Sequence, residues 1–137
     1  MYRKLIKRVM ELLLDGDSEV LETLSGQYKC SKITDIKETG KGVFVNFKVI
    51  GKTMQLGGDI GGHSNIKQDF VFGDVNGIVE GVAGAVGFIL FVRNGYISTL
   101  EGYANVPGSW AKVNEDTVLV YMPEQRDLKK LEKNWTK

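Results

Sequence analysis

The chain has 137 residues, 42% hydrophobic and 26% charged, with a net charge of +1. That length supports one hydrophobic core, and that composition excludes both a disordered tail and a coiled coil. Seventeen glycines with only two prolines point to many tight turns in a β-rich core, since the glycine fraction is about 12% against a usual figure near 7%.

Cys30 is the single cysteine, so an internal disulfide is excluded and a reducing, cytoplasmic compartment is expected. The first residues are basic and then apolar. Lys7, Arg8 and Glu11 interrupt that apolar run and no small-residue cleavage site follows, so no secretory leader is expected. The longest apolar run, 82–92, falls short of the roughly 20 residues that a membrane-spanning helix needs, and no membrane association is expected. Charge is segregated along the chain. Residues 1–52 carry ten basic and seven acidic side chains, 53–123 three and seven, and 124–137 five and three. An acidic middle between basic ends lacks the continuous basic footprint of a nucleic-acid binder, and no nucleic-acid partner is expected.

In chain order, Leu5, Ile6, Val9, Leu12 and Leu13 recur at three- and four-residue spacing and predict an amphipathic helix over 3–14. Asp15-Gly16 ends it, and Asp17 or Ser18 caps a second helix over 19–28 with Val20, Leu21, Leu24 and Tyr28 on one face. The period then changes to two. Residues 33–37 and 43–49 read as the arms of a hairpin around a 38–42 turn, with Val43, Val45, Phe47 and Val49 sharing a face. Residues 51–69 are a polar, glycine-rich connection. A short strand at 70–72 is expected to lead into a turn at 73–77. Residues 87–92 and 96–103 flank Asn94-Gly95, which supplies the two positive φ angles of a tight hairpin turn. The first of these arms is nearly all apolar and predicts a central strand covered on both faces, whereas the second predicts a strand nearer an edge. A strand over 117–121 and a helix over 124–135 opened by Pro123 complete the chain. The sum is a single α+β domain, 1–137: two N-terminal helices, an antiparallel sheet of five to six strands and a C-terminal helix.

The chemistry-bearing residues do not assemble into a catalytic set. In the segment 57–63, Asp59 and His63 offer a ligand and a proton carrier, yet His63 is the only histidine and a metal normally takes three or four protein ligands. The glycine spacing matches no phosphate loop, and the segment reads first as a connection. Cys30 reads as a buried small hydrophobe. No catalytic residue, metal ligand or cofactor is expected. The acidic residues Asp59, Asp69, Asp74, Glu80 and Glu101 are candidate contacts for a basic partner. Tyr103 and Trp110, beside the Pro107-Gly108 turn, either anchor a partner or plug the end of the sheet.

The order TGKGVFVNFKV, FGDVNGIVEGV and AVGFILFVRNGYISTLEGYA resembles a family of small bacterial proteins of unassigned function. Its members carry a thr-gly turn before an aromatic strand, a gly-asp-val segment and a gly-phe-leu-leu-phe-val hairpin ending in leu-glu-gly-tyr. The likeness covers roughly residues 11–105. Beyond it, Ala104-Asn105-Val106-Pro107-Gly108-Ser109-Trp110 replaces the family's glu-pro-trp-pro turn. Small motif-free proteins of this type suggest an immunity protein that neutralises a cognate toxin. Two further readings accompany it: a small enzyme or ligand binder using the 57–63 loop, and a structural protein that self-associates through an edge strand.

Overall fold

The computed structural model describes residues 2–58 and 64–137. In chain order the elements are α1 (Arg3–Leu13), α2 (Glu19–Lys29), β1 (Ser31–Glu38), β2 (Gly42–Val49), β3 (Phe70–Val79), β4 (Val82–Arg93), β5 (Tyr96–Ala104), a 3-10 turn (Ser109–Lys112), β6 (Val118–Tyr121) and α3 (Leu128–Trp135). The expected α+β arrangement of two leading helices, an antiparallel sheet and a closing helix is present. The six strands form one antiparallel sheet in the order β1-β2-β5-β4-β3-β6. Among the described residues, no helix is long and apolar enough to cross a membrane.

The apolar spacing of α1 buries Leu5, Ile6, Val9, Met10 and Leu13. Ser18, rather than Asp17, caps α2, its hydroxyl accepting from the Leu21 N–H. Both helices and α3 lie on one face of the sheet, the face carrying Val43, Val45, Phe88, Leu90, Val92 and Leu100, all at most 3% exposed. Aromatic contacts fix that packing: Tyr28 on Phe47 at 5.9 Å, Trp135 on Phe70 and Phe72 at 5.9 and 5.4 Å, and Trp110 on Phe88 at 6.0 Å. Gln27 on α2 is fully buried. Its amide donates to the carbonyls of Met54 and Gly95, each at 2.8 Å, and its oxygen accepts from the Ile97 N–H at 2.9 Å. A polar side chain in a core is tolerable when its hydrogen bonds are met, and here they pin α2 to the β4–β5 turn.

Several expectations are corrected. Strand β3 continues through 73–77 to Val79, and the turn sits at Glu80-Gly81. Gly73 marks a close approach between strands, since a Cβ there would stand 2.2 Å from the Phe88 carbonyl oxygen. Strand β5 is central, and β4 is covered by helices on one face only. Cys30 is exposed just past the end of α2. The last helix begins at Leu128 because residues 124–127 are committed elsewhere. There Arg126 enters the junction of α1, β3 and β6, and Asp127 caps α3 by accepting from the Lys130 N–H.

Arg126 makes a two-pronged ion pair with Asp74, Nε to Oδ2 at 2.9 Å and Nη2 to Oδ1 at 3.1 Å. It also donates to the carbonyl oxygens of Leu13 and Asp15 and stacks on the Tyr121 ring at 5.2 Å. The two side chains are only 8% and 11% exposed. Removing one partner of such a pair strands the other charge, so Arg126→Ala should cost about 3–5 kcal/mol in denaturant unfolding. A loss below about 1 kcal/mol would place the pair in the surface class instead.

The β4–β5 turn has φ of 54° at Asn94 and 76° at Gly95, as its sequence requires. Gly95 is enclosed: a Cβ there would stand 2.2 Å from the Leu56 carbonyl oxygen. Gly95→Val combines a positive φ with that clash and should lower stability by about 3 kcal/mol or more. An unchanged melting temperature would remove this turn from the account.

Candidate protein-binding face

With every helix on one side, no element among the described residues covers the second face of the sheet. Its composition follows from strand alternation, because residues between core positions point the other way. Register places Phe44, Glu101 and Ile89 side by side on β2, β5 and β4. The next row is Asn46, Thr99, Phe91 and Val71, and on the other side lie Tyr103, Gly87 and Asn76. Phe44, Ile89, Phe91 and Tyr103 are half-buried, and Val71 is 40% exposed.

Glycines seat aromatic rings on both faces. A Cβ on Gly102 would meet the Trp110 ring at 2.6 Å on the helical side, and one on Gly87 would meet the Tyr103 hydroxyl at 2.5 Å on the open side. Tyr103 therefore lies across β4 toward Asn76. Burial, and then the neighbouring Glu101 carboxylate, raise its pKa above the ordinary phenol value. A hydrogen-bonded row crosses the same face. Asn46 donates to Asp35 at 3.4 Å, Thr99 donates to Asn46 at 2.8 Å, and the Ser98 and Thr99 hydroxyls meet at 3.4 Å. Arg93 donates to Ser98 at 3.4 Å and stacks on Phe91 at 5.1 Å.

The residues singled out in the sequence are dispersed. Asp59 and His63 lie outside the described residues. Asp69 accepts from the Asn94 N–H at 3.0 Å at the β4–β5 turn. Asp74 is buried against Arg126 and Trp110 is 2% exposed, so neither meets a partner in this fold. Trp110 plugs the core against Gly102 and Phe88. Glu80 pairs with Lys112 at 2.9 Å beyond the sheet end. Glu101 and Tyr103 alone share the open face. Sequence reasoning missed Phe44, Ile89 and Phe91. The available signal was an all-apolar strand in a chain whose three short helices can cover only one face of a six-stranded sheet.

Among the described residues, no group of three or more His, Cys, Asp and Glu could hold a metal ion. Comparison with protein-family models, curated proteins and solved structures returns no match.

Tyr2, Tyr28 and Tyr121 share the raised pKa of Tyr103, in each case first by burial. The fold thus favours the neutral phenols, and the unfolded chain ionises first. Stability is fully present below about pH 10 and falls as pH rises through that value toward the folded pKa values. The melting temperature should drop between about pH 9 and pH 11, and less in Tyr103→Phe. An equal drop in that variant would show that Tyr103 ionises as it does in the unfolded chain.

Proposed function

We propose that this chain is a non-catalytic protein-binding module, a bacterial immunity protein that neutralises a cognate toxin by laying the open face of its sheet against it. The observation that carries this reading is a sheet face that no described element covers, yet furnished with half-buried aromatic and branched side chains. Contiguous apolar surface rimmed by polar groups is the usual mark of an interaction site. The six strands run from four to twelve residues, and at a rise of about 3.3 Å per residue and a spacing of about 4.8 Å they make a face on the order of 800 Å² in plan. That is comparable with the roughly 800 Å² that one partner contributes to a standard interface.

The charge on this face favours a different protein over a second copy. Glu101 sits mid-strand on central β5, and a two-fold interface through the centre of the face sets each patch against itself. Two carboxylates would then meet. Edge pairing is also discouraged. Strand β1 exposes Lys32, Thr34, Asp35 and Lys37 and is bulged between Ile33 and Asp35, while β6 has only four residues, devices that blunt a sheet edge. The family resemblance and the lone cysteine agree with a cytoplasmic role, and the choice of a toxin as partner rests on that resemblance.

The test is co-expression with the product of an adjacent gene that arrests growth when expressed alone. Growth should be rescued by the parent chain and lost with Phe44→Lys or Ile89→Lys, variants that should keep their folds because both side chains face outward. Circular dichroism melts establish that they do. Absence of rescue and of any complex for the parent chain would overturn the proposal, as would full rescue by both folded variants.

A further inference from the structure

Glu101 differs from most other carboxylates of the chain by its setting. It is half-buried, it belongs to none of the ion pairs among the described residues, and it stands between Phe44 and Ile89 on the flanking strands with Tyr103 two residues along the same face. Cross-strand neighbours of this kind have Cβ atoms about 5 Å apart, within direct reach of one another's side chains. Any partner that covers the face strips water from this carboxylate. A buried charge without a counter-charge is strongly unfavourable, so a surface that docks here must bring a cation to it.

We infer that Glu101, framed by Phe44 and Tyr103, is the seat for an arginine side chain presented by the partner protein. The choice of arginine follows from the frame. A guanidinium is planar, bonds a carboxylate through two parallel N–H groups and stacks on aromatic rings, whereas an ammonium is a more strongly hydrated point charge. The chain already uses this combination at Arg126, which pairs with Asp74 and stacks on Tyr121, and uses the stacking alone at Arg93 on Phe91. At Glu101 the carboxylate and the rings are in place and the cation is missing. This inference rests on the open face being the binding surface, and it adds what the partner must carry.

The probe is N-acetyl-arginine amide, titrated into the nitrogen-15-labelled chain with N-acetyl-citrulline amide as its uncharged isostere. Saturable, millimolar shifts are expected at the backbone amides of Phe44, Glu101 and Tyr103, with affinity at least about fivefold weaker for the citrulline probe and for Glu101→Gln, because the charge-assisted bonds are lost. The Glu101→Gln spectrum reports directly that the variant is folded. Shifts that do not saturate, or that are equal with citrulline or in Glu101→Gln, would overturn the inference. A failed titration with toxin binding still abolished by Ile89→Lys would leave the binding module standing and remove only the arginine seat. A successful titration without toxin neutralisation would do the reverse.

Discussion

The grip of Arg126 on Asp74 and on the end of α1 is the constraint from which the layering follows. A helix ends with carbonyl groups that have no partner within it. In this chain the carbonyls of Leu13 and Asp15 are met by one guanidinium, which is itself neutralised by Asp74 in the β3 bulge and backed by the Tyr121 ring. One side chain thus fixes where α1 stops against the sheet. Tyr121 adds a second tie by donating to the Leu12 carbonyl. Midway along α1, Arg8 donates to the carbonyls of Glu115 and Thr117, each at 2.9 Å. These contacts hold α1 beside β6 and β3, and Gln27 holds α2 over the β4–β5 turn. With α3 seated through Trp135 on Phe70 and Phe72, all three helices are spent on one face.

The other face is the consequence. A sheet whose strands alternate cleanly between apolar and polar residues can leave one side to water. Strand β4 does not alternate, since Ile89 and Phe91 look outward between Phe88, Leu90 and Val92. Nor does β2, where Phe44 lies outward between Val43 and Val45. These outward aromatic and branched residues meet no helix, and they neighbour one another across the strands. The polar row from Asp35 through Asn46, Thr99 and Ser98 to Arg93 divides the patch and supplies directional groups, the mixture found where protein surfaces recognise one another.

Much of the architecture was legible because it rests on local rules. The helix pair is written in three- and four-residue spacing and in Ser18, and the β4–β5 hairpin in Asn94-Gly95. What was not legible depends on groups far apart in sequence. Glycines 73 and 77 look like a turn to any local rule, yet they let β3 run close to β4. Pro123 looks like a helix start, but Arg126 is held by Asp74, 52 positions before it, and α3 is delayed. Gln27 looks like a solvent residue and is the polar pin of the core. At the candidate site, Glu101 and Tyr103 were identified for their chemistry, while Asp74 and Trp110 were drawn into the interior by partners that no local pattern shows. The non-polar members of the face were hidden for a different reason. An apolar strand residue reads as buried until it is known how many layers the chain can build.

On the function proposed above, the helix-free face of the sheet is the surface this protein presents to its partner. Hydroxyl-radical footprinting tests this on the chain alone and in complex with any toxin whose growth inhibition it is found to relieve. Phe44, Phe91 and Tyr103 should lose reactivity in the complex while Tyr28, on the helical side, should not. Unchanged reactivity at those three residues, with protection confined to the helical side, would contradict it.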